Sequence, residues 1–215
     1  MNTQTTLRRF TLGACALALG LGMFQAQADD GALYGPKAPK GSAFVRAYNA
    51  SSAELDVSVG QTQLKQVAPL GSSDFKFLPA GSYQAQVGST QMPVDLQAER
   101  YYTLVSQTGA KPRLVEEPPF TSRQKALLRV QNLTDSTLSL KTADGKTAVV
   151  ADVKPDGRGD REINPVKVGL ALFDGERKVA DLKPVTLERG EVVSLFVTGG
   201  QGKLSPVWVK RPIDG

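Results

Sequence analysis

Histidine is absent from this 215-residue chain, and its one cysteine, Cys15, lies in an apolar stretch near the N-terminus. Without histidine there is no imidazole base for a serine or cysteine nucleophile, and without a cysteine set there is no zinc site of the Cys/His kinds. Disulfides are excluded as well, so the chain must hold its shape by apolar burial. Beyond the N-terminal stretch no apolar run approaches the roughly 20 residues that a membrane-spanning helix requires. Tryptophan occurs once, at Trp208.

The N-terminus carries the pattern of an export signal. Arg8 and Arg9 supply positive charge, Leu12 to Phe24 is apolar and small, and Ala26-Gln27-Ala28 is a small-x-small site, so cleavage is expected between Ala28 and Asp29. The residues after Arg8-Arg9 depart from the twin-arginine pattern. Lipidation at Cys15, after Leu12-Gly13-Ala14, would leave about ten apolar residues where a lipoprotein has a polar tether. Cleavage removes two of the 26 basic residues and none of the 21 acidic ones, leaving a net charge of +3. That balance gives no ground for a nucleic-acid partner. The remaining chain of about 187 residues has no cysteine and can bury one large or two small cores.

Residues 29–40, rich in Gly, Pro and Lys, read as an extended N-terminal arm. From there on, short apolar/polar alternations dominate. Leu55, Val57 and Val59 alternate with Glu54, Asp56 and Ser58, which places the first set on one strand face. Similar runs occur at Phe44 to Tyr48, Asp74 to Leu78, Ser82 to Val87 and Arg100 to Ser106. A second series covers Leu127 to Gln131, Thr137 to Lys141, Val166 to Phe173, Glu176 to Leu182, Glu191 to Thr198 and Pro206 to Lys210. Asp144-Gly145 and Asp174-Gly175 are hairpin-turn pairs, and no window has helical periodicity.

The two series align as copies. Residues 45–57 match 128–140 without a gap, pairing Arg46 with Arg129, Asn49 with Asn132, Ser51 with Thr134 and Leu55 with Leu138. Residues 94–105 match 185–196, pairing Val94 with Val185, Leu96 with Leu187 and Thr103 with Ser194. The offset grows from 83 to 91, as an insertion between the two blocks requires. The expectation is an all-β chain of two small tandem β-sandwich domains related by an internal repeat. The first covers 41–115 and the second 125–215, joined by a Pro-rich linker at 116–124 that begins Glu116-Glu117-Pro118-Pro119.

No catalytic, cofactor-binding or metal-binding constellation stands out. Ser73-Asp74-Phe75-Lys76 has the S-x-x-K form, but that mechanism needs one helical face, and this stretch reads as a strand. Arg158-Gly159-Asp160 reads as an ordinary turn, and Glu116-Glu117 has no visible partner for acid/base work. The N-x-S/T triplets at Asn49 and Asn132 fall at equivalent positions, which makes a repeated side-chain-capped turn a better reading than two glycosylation sites. Tyr34, Tyr48, Tyr101, Tyr102 and Trp208 are the candidate partner or glycan contacts. Adjacent Tyr101 and Tyr102 must face opposite ways on a strand, so at least one belongs to the core, while Trp208 stays open between core and surface.

Ala32-Leu33-Tyr34-Gly35-Pro36, Pro39-Lys40-Gly41-Ser42, Phe44-Val45-Arg46 and Tyr48-Asn49 closely resemble the start of mature proteins of the AlgF family. The resemblance extends over the chain in length, signal, two-part layout and cysteine-free mature part. It implies a periplasmic protein required for O-acetylation of alginate, with a membrane O-acyltransferase and periplasmic acetyltransferases of the serine-histidine type as partners. Three roles stay open: an adaptor that docks the acetylating proteins together, a carbohydrate-binding module that holds the alginate polymer, and an acetyl carrier. The resemblance assigns no functional residue.

Overall fold

The computed structural model describes residues 38–200 and 203–211. The signal segment 1–28, the expected cleavage site at Ala28 and Asp29, and Tyr34 of the arm lie outside the described residues. Those described form strands and no helix. The first half contains β1 (Ser42–Ala50), β2 (Leu55–Val59), β3 (Thr62–Val67), β4 (Gly71–Ser72), β5 (Lys76–Pro79), β6 (Gly81–Val87), β7 (Thr90–Leu96), β8 (Tyr101–Gln107) and β9 (Arg113–Glu117). The second contains β10 (Ala126–Asn132), β11 (Leu138–Thr142), β12 (Ala148–Val153), β13 (Arg158–Ile163), β14 (Val166–Val168) and β15 (Leu170–Asp174). It ends with β16 (Arg177–Asp181), β17 (Val185–Leu187), β18 (Val192–Gly200) and β19 (Lys203–Arg211).

Each half is a two-sheet sandwich, and the two have one topology. In the first, β4 and β5 pair with β1, β1 runs parallel to β8, and β9 closes the sheet; the facing sheet has the order β3-β2-β6-β7. In the second, the orders are β13-β10-β18-β19, again with a parallel central pair, and β12-β11-β15-β16. The ladders reproduce the repeat residue by residue. Phe44 pairs with Tyr101, and offsets of 83 and 91 carry those residues to Leu127 and Val192, which are themselves partners.

Part of the offset arises in the β11–β12 hairpin, where Val57↔Leu64 becomes Leu140↔Val150, and the rest in the second copy's returning hairpin. In the first copy β6 and β7 form one unbroken ladder from Gly81↔Leu96 to Val87↔Thr90. In the second, the ladder is split into the ribbon β14·β17 and the pair β15·β16, with Leu182 to Pro184 inserted between β16 and β17. The Trp208 indole N–H donates to the Lys183 carbonyl at 3.1 Å, which holds this insert against the second core.

Alternation explains the cores. Val45, Ala47, Val57, Val59, Ala85, Val87 and Leu104 point between the first pair of sheets; Leu128, Val130, Leu138, Leu140, Leu172 and Leu195 fill the second. Both copies interrupt their third strand with a left-handed residue, at Gln66 and at Asp152, beside a register shift. The turn at Asp144-Gly145 forms as read: Gly145 has φ +74°, and Asp144 accepts from the Thr142 hydroxyl and the Lys146 amide. At Gly159 the reason for glycine is proximity, because a Cβ there would lie 2.4 Å from Val150 Cγ1. Arg158-Gly159-Asp160, read as a turn, is the start of β13: Gly159 allows the backbone to pass the β12 valines, and the stretch pairs with β10.

The triplets at Asn49 and Asn132 build the same buried turn twice. The Asn49 amide donates to the carbonyls of Ala53 and Val67, and its Oδ1 accepts from the amide and hydroxyl of Ser51. Asn132 donates to Ser136 and Val153 and accepts from Thr134 in the same way. Both asparagines are fully buried. Replacing either by alanine strands buried carbonyls at about 1–3 kcal/mol, so Asn49→Ala and Asn132→Ala are each expected to lower the melting temperature by roughly 2–12 °C. Differential scanning calorimetry of the two variants checks this, and a neutral result at either position would remove its capping role.

Candidate functional site

Strands β1 and β10 are buried on both faces. One face of each lines its own sandwich core, and the other looks out of the sandwich, where the two central sheets meet. Each copy contributes the same face: Arg46, Tyr48, Thr103, Val105 and Glu117 from the first, and Arg129, Leu133, Ser194, Phe196 and Val209 from the second. Tyr48, Val105, Leu133, Phe196 and Val209 form a separate apolar cluster there, and the Tyr48 and Phe196 rings stack with centroids 4.6 Å apart. The layers therefore run from the outer sheet of the first sandwich, through both central sheets, to the outer sheet of the second.

At the centre of this contact lies Glu117, with no exposed surface. Arg46 Nη2 donates to its Oε1 at 2.6 Å, and the Thr103 hydroxyl donates to the same oxygen while accepting from Arg46 Nε at 2.9 Å. From the second sandwich, the Ser194 hydroxyl donates to Oε2 at 3.3 Å, and Arg129 Nη1 makes an ionic contact at 3.6 Å. Arg129 is also held by Asp160 through two bonds of 2.9 Å, and its Nη2 donates to the Pro118 carbonyl. Two guanidinium groups thus face two carboxylates, which is what buried charge requires. Burial opposes ionisation of Glu117, but Arg46, the Thr103 hydroxyl and Arg129 outweigh it and hold the carboxyl below its ordinary range.

The contact continues outward. Arg113 pairs with Asp156 and donates to the Leu133 carbonyl at 3.1 Å, and Arg158 donates to the Glu116 carbonyl at 3.2 Å. Arg211 lies over the Tyr101 ring at 4.1 Å, and Tyr101 stacks on Phe44 at 4.5 Å.

The candidate aromatics do not share one surface. Tyr48 is sealed in the inter-sandwich cluster, where burial pushes its phenol up to about 12 against a smaller opposing effect of Thr198. Tyr102 belongs to the first core and its hydroxyl accepts from the Gln97 amide, while Tyr101 takes the opposite strand face, as their adjacency demands. Trp208 packs against the second core. Ser73 and Lys76 are engaged apart: Ser73 Oγ accepts from the Ala47 amide, and Lys76 Nζ donates to the Gln63 carbonyl. Among the described residues no group of three His, Cys, Asp or Glu side chains is placed to hold a metal ion.

Glu117 is the residue that sequence reasoning missed. Its place before Pro118-Pro119 reads as linker, whereas Glu116 and Glu117 are the last residues of β9, paired with Tyr102 and Tyr101. The available signal was Arg46 and Arg129, equivalent arginines in otherwise apolar strands, which require a buried counter-charge. Removing that counter-charge in Glu117→Gln leaves two buried guanidinium groups underpaired, and a loss of about 3–5 kcal/mol is expected. Because the folded pKa of Glu117 lies below its ordinary value of 4.5, its contribution is full above that pH and is lost as the pH falls through the folded value. Urea unfolding of wild type and variant should therefore show a gap at pH 7 that narrows below about pH 4.5; a gap independent of pH would contradict the assignment.

Residues 16–194 match the family model described as "Alginate O-acetyl transferase AlgF". The chain is 70% identical over 213 residues to the alginate biosynthesis protein AlgF of Pseudomonas aeruginosa, covering 99% of both chains. It is 63% identical over 205 residues to that of Azotobacter vinelandii, covering 92% of this chain and 94% of the relative. Among solved structures, the C-terminal domain of AlgF from P. aeruginosa is 76% identical, covers 41% of this chain and 99% of its own, and has a TM-score of 0.39. The N-terminal domain is 72% identical, covers 38% and 100%, and has a TM-score of 0.35. A repeated all-β chain matched along nearly its full length at such identity belongs to the AlgF family of alginate biosynthesis and O-acetylation proteins.

Proposed function

We propose that this chain is a non-catalytic, periplasmic accessory protein of alginate O-acetylation. It acts as an adaptor between the membrane O-acyltransferase and the periplasmic acetyltransferases. The observation that carries this reading is the joined pair of sandwiches: a buried ionic contact fixes two separate cores in one body, leaving one outer sheet at each end. A body with two separated outer faces suits an adaptor that must hold two proteins at a set distance.

The chemistry of the site supports the non-catalytic part. Serine-based acyl transfer needs a base beside an accessible hydroxyl, and the chain has no histidine. Ser194 does bond a carboxylate, but Ser194 is 1% exposed and Glu117 0%, so no polymer reaches them. Dispersal of the candidate aromatics weighs against a sugar-stacking platform built from them.

The test is a pull-down of the mature chain with a purified periplasmic alginate acetyltransferase and, separately, with the detergent-solubilised membrane O-acyltransferase. Retention of both at micromolar concentration is expected, and binding to neither would overturn the adaptor reading. Intact mass after incubation with an acetyl donor and the membrane O-acyltransferase should be unchanged. A stoichiometric gain of one acetyl group would make the chain a carrier instead.

A further inference from the structure

Each sandwich closes around its own core, and no residue is shared between the two cores. Among the described residues no sheet takes strands from both halves, and no backbone-to-backbone hydrogen bond crosses from one half to the other. Parting the two central sheets therefore breaks no ladder. The apolar cluster of Tyr48, Val105, Leu133, Phe196 and Val209 that holds the sheets together is small beside either core.

The buried ion pairs are divided along the same boundary. Glu117 keeps Arg46 and the Thr103 hydroxyl within the first sandwich, and Arg129 keeps Asp160 within the second. At the centre, separation breaks the 3.3 Å bond from Ser194 to Glu117 and the 3.6 Å contact between Glu117 and Arg129. Neither arginine is left without a carboxylate, so the heavy penalty of an uncompensated charge does not arise. At the margin, the pair between Arg113 and Asp156 is a surface pair of small value, since the Asp156 side chain is 69% exposed.

The closed contact also carries an unmet cost. Leu127, Arg129 and Gln131 point away from the second core, and Gln131, 2% exposed, has no partner for its Nε2. Arg129 Nη1 has its ionic contact with Glu117 but no hydrogen bond. A buried donor without an acceptor is penalised until water reaches it. Residues 118–125 join the halves and hold no strand; their two leading prolines favour an extended course. Eight residues span up to about 28 Å, which lets the faces part.

We propose that this contact is a latch: the chain interconverts between the closed body and an open one, in which both sandwiches stay folded and the facing sides of β1 and β10 meet water. The closed body holds its outer sheets at one distance and the open body at a longer one. The opening is a property of the chain alone and stands apart from the adaptor reading.

Beyond Cys15 the chain has no cysteine, so spin labels can be placed by Gln63→Cys and Lys178→Cys, exposed positions on the two outer sheets. Double electron–electron resonance of the mature, labelled chain then reads their separation. A main distance with a longer, broader component is expected. Val105→Arg adds a guanidinium to the contact from a side chain that points out of the first sandwich, and should raise the open fraction about tenfold. Gln131→Leu replaces the unpartnered amide by an apolar side chain of similar size, and should lower it about threefold. Amide spectra of both cores should stay native throughout. A single narrow distance in labelled wild type and in Val105→Arg would overturn the latch. Loss of native signals from either core in Val105→Arg would overturn it too, because opening would then not be easier than unfolding. An open fraction that Gln131→Leu leaves undiminished would count against it in the same way.

Discussion

A single carboxylate between two guanidinium groups, on the plane where two sheets meet, is the constraint on which this structure depends. Arg46 and Arg129 sit in the central strands of their sheets, each 2% exposed or less. An isolated sandwich would present its arginine on an open sheet face, where water could solvate it. Closing the two faces removes that water, and the closed state is tolerable only because Glu117 and Asp160 arrive with the arginines. The apolar cluster around Tyr48 and Phe196 supplies burial without direction. The ionic contacts, which depend on angle and distance, select one way of bringing the faces together.

Legibility in the sequence follows burial. Strand β2 could be read from Leu55, Val57 and Val59 because it is wet on one face and dry on the other, and the same holds for β6. The repeat was legible because both copies keep Asn49 and Asn132 in the same capped turn and hold the same parallel register beside it. The returning strands β3, β9, β12 and β13 were harder. They lie at sheet edges, where polar residues replace alternation and the ladder partner is supplied from elsewhere in the chain.

The site was less legible than the fold because its contacts are non-local. Glu117 precedes two prolines, and nothing within ten residues neutralises it; Arg46 reaches it from β1 across the first sandwich's own central sheet, and Arg129 reaches it from the other sandwich. Tyr48 was a candidate surface contact on its chemistry, yet the ring that buries it belongs to β18 of the other copy. Trp208 spends its N–H on an insert that the first copy lacks, so comparison of the copies could not assign it.

Duplication also explains why the copies differ where they do. Glu117 stands opposite Tyr101, and Arg211 stands opposite Val192, so a carboxylate and a guanidinium occupy equivalent ladder positions in the two copies. Likewise Asp160 stands opposite Arg129, where the first copy brings the Phe75 ring to 4.6 Å from Arg46. Two identical faces pressed together would bring like charges together; these exchanges turn the same face into complementary ones.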